Sequence, residues 1–134
     1  MELETIKIMN KKVISTNKAP AAIGPYSQAI LRGNTLYCSG QIAIHPETGD
    51  LNTETITKET HQVMKNISEV LKAADMDFSN VVKCSIFMSD MNQYSEINQV
   101  YASYFTENPP AREAVQVSVL PKNVNVEISV IAVK

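Results

Sequence analysis

Two arginines occur in the 134 residues. One of them, Arg112, follows Pro109-Pro110-Ala111 and opens an alternating stretch. Prolines fix the backbone ahead of it, and a rigid approach suits a planar guanidinium that has to be aimed. Paired hydrogen bonds to a carboxylate need such aim, each charge-assisted bond being worth about 1.5–3 kcal/mol. The same placement also suits an edge-strand charge that deters aggregation. Glu127 lies in an alternating apolar segment, on the face away from Val126 and Ile128. It reads either as a solvated carboxylate on an open sheet face or as a group in a subunit interface that orients or deprotonates a water. Tyr26, behind Gly24-Pro25, is a lid aromatic or a loop anchor. Ser39-Gly40-Gln41 ends a strand, where glycine either admits a ligand to the backbone or kinks the chain. Ser39 has no His and Asp close in sequence to suggest a triad. Asn98 faces out from a helix between Tyr94 and Tyr101 and by itself reads as a surface amide.

Other chemistries lack their residues. The sequence holds no Gly-rich phosphate loop, no paired cysteine ligands and no His-x-x-x-His. His45 beside a turn proline and His61 in a helix read as surface or packing residues. No metal and no cofactor is expected. Cys38 and Cys84 both fall in strand-like segments and are expected as buried free thiols, with a disulfide left open.

The elements that must hold these residues follow from periodicity. Val13-Ile14 begins a first strand, and residues 16–27 form a loop broken by Pro20 and Gly24-Pro25. Gln28 to Arg32 and Thr35 to Gln41 read as a hairpin turned at Gly33-Asn34, since both residues tolerate positive φ. Pro46-Glu47-Thr48-Gly49-Asp50 makes a second turn. Val63, Ile67, Val70, Leu71 and Ala74 recur at helical spacing, which predicts a helix over Thr57 to Ala74 with Thr57 as N-cap and Glu59 facing the helix dipole. Val81 to Met88 reads as a strand with Val82, Cys84, Ile86 and Met88 on one face. A second helix is expected from Asn92 to Phe105, with Tyr94, Ile97, Tyr101, Tyr104 and Phe105 as its stripe. Arg112 to Leu120 and Val124 to Val133 are the last strands, separated by Pro121-Lys122-Asn123.

The order β-β-β-α-β-α-β-β contains two strand–helix–strand units, which favour parallel pairing and right-handed crossovers. A mixed six-stranded α+β sheet with two helices on one face results. Two helices cover one side of so wide a sheet, so the other is solvated or covered by another subunit. Residues 11–134 read as one domain behind an N-terminal extension of residues 1–10. A composition of 44% hydrophobic and 19% charged residues builds a core without a staple. A net charge of -2 with no basic cluster argues against nucleic acid as the main partner. Glu2 and Glu4 are unlike a targeting peptide, and no stretch approaches the roughly 18 apolar residues that span a bilayer. No membrane partner and a cytoplasmic location are the expectations.

Several motifs in order then resemble one known family. Ala19-Pro20-Ala21-Ala22-Ile23-Gly24-Pro25-Tyr26-Ser27-Gln28-Ala29 resembles the N-terminal signature of the reactive intermediate deaminase (Rid) family, and Ser39-Gly40-Gln41-Ile42 with Pro46-Glu47-Thr48-Gly49 continues it. Pro110-Ala111-Arg112-Glu113-Ala114-Val115-Gln116-Val117, Leu120-Pro121-Lys122 and Val126-Glu127-Ile128 are similar to that family's C-terminal motifs. The resemblance covers about residues 13–134. It implies a chorismate-mutase-like α+β fold, a homotrimer with interfacial clefts, and hydrolysis of 2-imino acids or their enamine tautomers to 2-keto acids and ammonia. It further implies that Arg112 holds the substrate carboxylate and Glu127 positions the water. Tyr26, Ser39, Gly40, Asn98 and the backbone of Ala114 would line the cleft. Many members have cysteine at the Ala114 position, so thiol chemistry there is excluded, and many have an acid where this chain has Ser129. Two other activities stay open: a non-catalytic trimer that binds small carboxylates, and an endoribonuclease or translation inhibitor.

Overall fold

The structure, a computed structural model, describes residues 10–134. The expected extension over residues 1–10 lies outside them but for Asn10. Six strands form one sheet: β1 (Lys11–Ile14), β2 (Ala29–Arg32), β3 (Thr35–Gln41), β4 (Val81–Met88), β5 (Ala111–Gln116) and β6 (Val126–Val133), in the order β1-β2-β3-β6-β4-β5. Helix α1 (Ile56–Ala73) links β3 to β4, and α2 (Tyr94–Ala102) links β4 to β5. Among the described residues only β4 and β5 pair in parallel; β6 slots antiparallel between β3 and β4. The mixed α+β sheet and the element order agree with expectation.

The boundaries shifted for physical reasons. The α1 N-cap is Thr55, not Thr57: its side chain accepts from Lys58 N at 3.1 Å, and buried Ile56 joins the apolar face as the first helical residue. At the other end Asp75 takes a φ of 58° and Met76 N–H closes on the Leu71 carbonyl. In the β2–β3 turn only Gly33 has positive φ, 58°, so the turn needs left-handed backbone at its first position alone. Helix α2 is shorter than expected: Met91–Gln93 is a 3₁₀ turn, capped by Asp90, and the helix stops at Ala102. The register of β4 on β6 shifts between Val81 and Lys83, so Val81 is buried and Val82, expected inside, is exposed. Strand β5 runs from Ala111 to Gln116 and stops short of the expected Leu120. Arg112 and Ala114 turn toward the helices, while Val115 and Val119 are exposed.

The core lies between the sheet and the helices. Val63, Ile67, Val70 and Leu71 of α1 pack on Leu36, Ile86, Ile128 and Val130. Cys38 and Cys84 both face this core, on either side of Val130. Two strand spacings, about 9–10 Å, separate them, beyond the reach of a disulfide, and both are free. Burial pushes the Cys38 thiol up to about 12. The other sheet face stays half-covered, with Tyr37, Phe87, Val115 and Ile131 beside Glu127 and Ser129.

One buried charge ties the layers together. Glu59 has no exposed surface and accepts from Asn125 N and Nδ2, both at 2.7 Å, and from Val126 N at 3.1 Å. Read in sequence as a helix-dipole residue, it fixes the start of β6, immediately before Glu127.

Candidate functional site

The residues singled out in sequence form two clusters. The first surrounds a cavity of about 530 Å³ with Tyr26, Ser39, Gly40 and Glu127 in its wall. Gln28 builds the outer wall. Its buried amide accepts from Thr16 N at 2.7 Å and donates to the Thr16 and Pro20 carbonyls at 3.0 and 2.8 Å, pinning the loop that carries Tyr26. Sequence reasoning gave Gln28 no role, because a strand-start glutamine carries no sign of the loop it grips. Tyr26 is 53% exposed, with its hydroxyl accepting weakly from Ile23 N–H at 3.4 Å, so it stands over the cavity and is not sunk in the core. Ser39 donates its hydroxyl to the Ser27 carbonyl at 2.6 Å.

Gly40 sits where β3 changes register against β6, between Cys38 and Gln41. The space above it belongs to Glu127: a Cβ on Gly40 would lie 2.5 Å from Glu127 Oε2 and 2.8 Å from its Cδ. The glycine therefore serves the carboxylate. Among the described residues no protein donor reaches that carboxylate, and burial alone pushes its pKa above the ordinary carboxylate value. An unbonded, partly desolvated carboxylate in a cavity can accept a proton from a bound water.

The second cluster is at the β5 edge of the sheet, on the helix side. Arg112 Nη1 donates to Asn98 Oδ1 and Nη2 to Tyr94 Oη, both at 2.6 Å, while the guanidinium carbon lies 4.9 Å from the Tyr101 ring centre. Positions 94, 98 and 101 form one stripe of α2, so a single helix face holds the guanidinium. Asn98, read as facing solvent, and the tyrosines, read as core, share this task. Their i, i+4, i+7 spacing was the available signal. Among the described residues strand β5 pairs only with β4. Val117 N–H bonds the Met88 carbonyl, which sets the odd-numbered β5 residues toward β4 and turns the backbone N–H and C=O of Arg112 and Ala114 to the open edge. His45 and His61 belong to neither cluster; His61 Nδ1 bonds the Tyr104 hydroxyl at 2.8 Å. Among the described residues no cluster of His, Cys, Asp or Glu is arranged to hold a metal ion.

The two clusters do not converge within one chain. Glu127 pairs with Phe87 and Arg112 with Cys84, so their side chains leave opposite faces of the sheet. They stand two strand spacings apart, about 9–10 Å, and three residues along β4, about 10 Å.

A model of the endoribonuclease L-PSP family matches residues 16–134. The chain belongs to this family, the Rid proteins. This Rid protein is 50% identical over 124 residues to rat 2-iminobutanoate/2-iminopropanoate deaminase, covering 92% of this chain and 90% of the rat protein. A Rid-family structure from Yersinia pestis is 51% identical with a TM-score of 0.91, over 93% of this chain and all of that one. Escherichia coli TdcF, solved with bound serine, is 36% identical with a TM-score of 0.88, over 92% of this Rid protein and 98% of TdcF. No helix among the described residues is long and apolar enough to cross a membrane.

Proposed function

We propose that this protein is a cytoplasmic hydrolytic deaminase that converts 2-imino acids and their enamine tautomers, such as 2-iminobutanoate and 2-iminopropanoate, to 2-keto acids and ammonia. It works as a homotrimer with its clefts between subunits. The observation that carries the reading is the Glu127 carboxylate: unbonded, held over Gly40 in a cavity, in a chain about 50% identical to proteins named for this reaction.

The chemistry asks for little beyond what is present. A protonated imine carbon is already electrophilic. Arg112 fixes the substrate carboxylate, and Glu127 takes a proton as water adds to that carbon. The proton returns to nitrogen, the hydroxyl proton passes to Glu127 as the carbinolamine collapses to the ketone, and the released ammonia carries that proton away as ammonium. Orientation and one proton carrier are the main contributions. A 2-imino acid is only a few ångströms long, too short to touch both clusters of one chain. A ring in which the Arg112 edge of one copy meets the Glu127 face of the next joins them, and the apolar Tyr37, Val115 and Ile131 on the uncovered face suit such a contact.

The test generates the imine in situ with an amino-acid oxidase, traps it with semicarbazide and asks whether the protein suppresses trapping. Suppression that rises with protein concentration is expected. Trapping unchanged across several imino acids would sink the reading, and so would a chain that runs as a monomer in light scattering. Gly40→Ala sharpens it. The added methyl meets the flexible end of Glu127, so the side chain swings away at little cost to the fold. Turnover is expected to fall at least about tenfold while the melting temperature changes by less than about 3 °C. Full activity in Gly40→Ala would remove Glu127 from the reaction.

A further inference from the structure

Tyr94 carries a hydroxyl proton that none of the described residues takes. Its oxygen accepts Nη2–H of Arg112 at 2.6 Å, which turns its own O–H away from the cation. Among the described residues no protein acceptor receives that O–H. Asn98 repeats the pattern, with Oδ1 occupied by Nη1 and its NH₂ without a protein acceptor among the described residues. Met91 N–H bonds the Gln116 side chain at 2.8 Å, which fastens the start of α2 to the end of β5 and sets Tyr94 on the Ala114 side of Arg112. The outward N–H of Ala114 lies along that edge. The tyrosine hydroxyl and the asparagine amide therefore serve the guanidinium as acceptors and leave their own O–H and NH₂ donors without a protein partner among the described residues. A carboxylate, with two oxygens and about four lone-pair sites, is the group that satisfies such a set.

We propose that Tyr94 is a further substrate-binding residue, its hydroxyl donating to the carboxylate of the 2-imino acid beside the Arg112 guanidinium. The inference rests on the reading of Arg112 as the carboxylate holder. Tyr94→Phe isolates the hydroxyl, because the ring keeps its place 5.7 Å from the guanidinium carbon. Wild type and Tyr94→Phe are titrated calorimetrically with 2-oxobutanoate and with the neutral 2-oxobutanamide, and 2-iminobutanoate turnover is measured on the same samples. The expected result is 2-oxobutanoate binding weakened about tenfold or more. KM should rise to match with kcat kept, and amide binding should not change. Three results overturn the assignment: wild-type affinity in Tyr94→Phe, equal losses for carboxylate and amide, or no 2-oxobutanoate binding by the wild type. A wild type that binds 2-oxobutanoate without turning over imines defeats the deaminase reading alone, and the titration still decides on Tyr94.

Discussion

Arg112→Lys is expected to lose at least about 100-fold in kcat/KM for 2-iminopropanoate while remaining folded and oligomeric. An ammonium cannot reproduce two parallel N–H donors, nor can it bond Asn98 and Tyr94 together while lying over Tyr101. Each charge-assisted bond lost in the transition state is worth about 1.5–3 kcal/mol, which is about 10- to 100-fold in rate. Arg112→Ala removes both bonds and is expected to fall further. The fold should tolerate either change, because Arg112 is half-buried and the groups it leaves behind can be rehydrated. The measurements are the trapping assay, a melting curve and the molar mass in solution. Arg112→Lys with wild-type turnover would show that paired recognition by this arginine is not part of the reaction.

Glu127→Gln is expected to lower turnover about 100- to 10,000-fold and to raise stability. The sign follows from the raised pKa of Glu127 in the folded chain, caused by burial. The native state holds this proton more tightly than the unfolded chain, so the carboxylate favours folding at low pH. That contribution is lost as pH rises from the ordinary carboxylate value of about 4.3 through the folded value. At neutral pH the ionised group costs stability, and an amide of the same shape removes the cost. Wild-type kcat/KM should correspondingly fall on acidification with a midpoint above about 4.3, while the residual activity of Glu127→Gln should lack that limb. A variant that melts lower than wild type at pH 7 would contradict the desolvated carboxylate.

The two variants also test the assembly. Co-expressed Arg112→Ala and Glu127→Gln chains regain activity only if a cleft draws its arginine from one subunit and its carboxylate from the next. With random mixing about a quarter of the clefts are intact. No recovery in a mixed oligomer would place each reaction within a single chain.

Strand and helix order were legible in the sequence because period-2 and period-3.6 patterns record which side of an element is buried. The α1 stripe of Val63, Ile67, Val70 and Leu71 and the Val126, Ile128, Val130 row of β6 both lie in the core. The motifs around Tyr26, Ser39, Arg112 and Glu127 named the chemistry of the family, and the chain belongs to it. Facing at β5 was not legible. Valines at every second position point inward by default, yet an arginine outweighs them where one helix stripe supplies an amide, a hydroxyl and an aromatic face. The bulge at Val81 likewise moved one valine in and the next out, because a register shift depends on the partner strand.

The sequence by itself determined the alternation of elements, the absence of a phosphate loop and the short set of residues able to handle a carboxylate and a water. Those properties are local: they depend on residue type and spacing within one element. Tertiary structure alone decided which of these residues meet. It put Gly40 under Glu127, gave Gln28 the loop to hold, buried Glu59 against the start of β6 and set Arg112 in the grip of Tyr94, Asn98 and Tyr101. It also placed Arg112 and Glu127 on opposite faces of the sheet. Strand order and register fix that separation, and both arise from pairings between segments far apart in the chain.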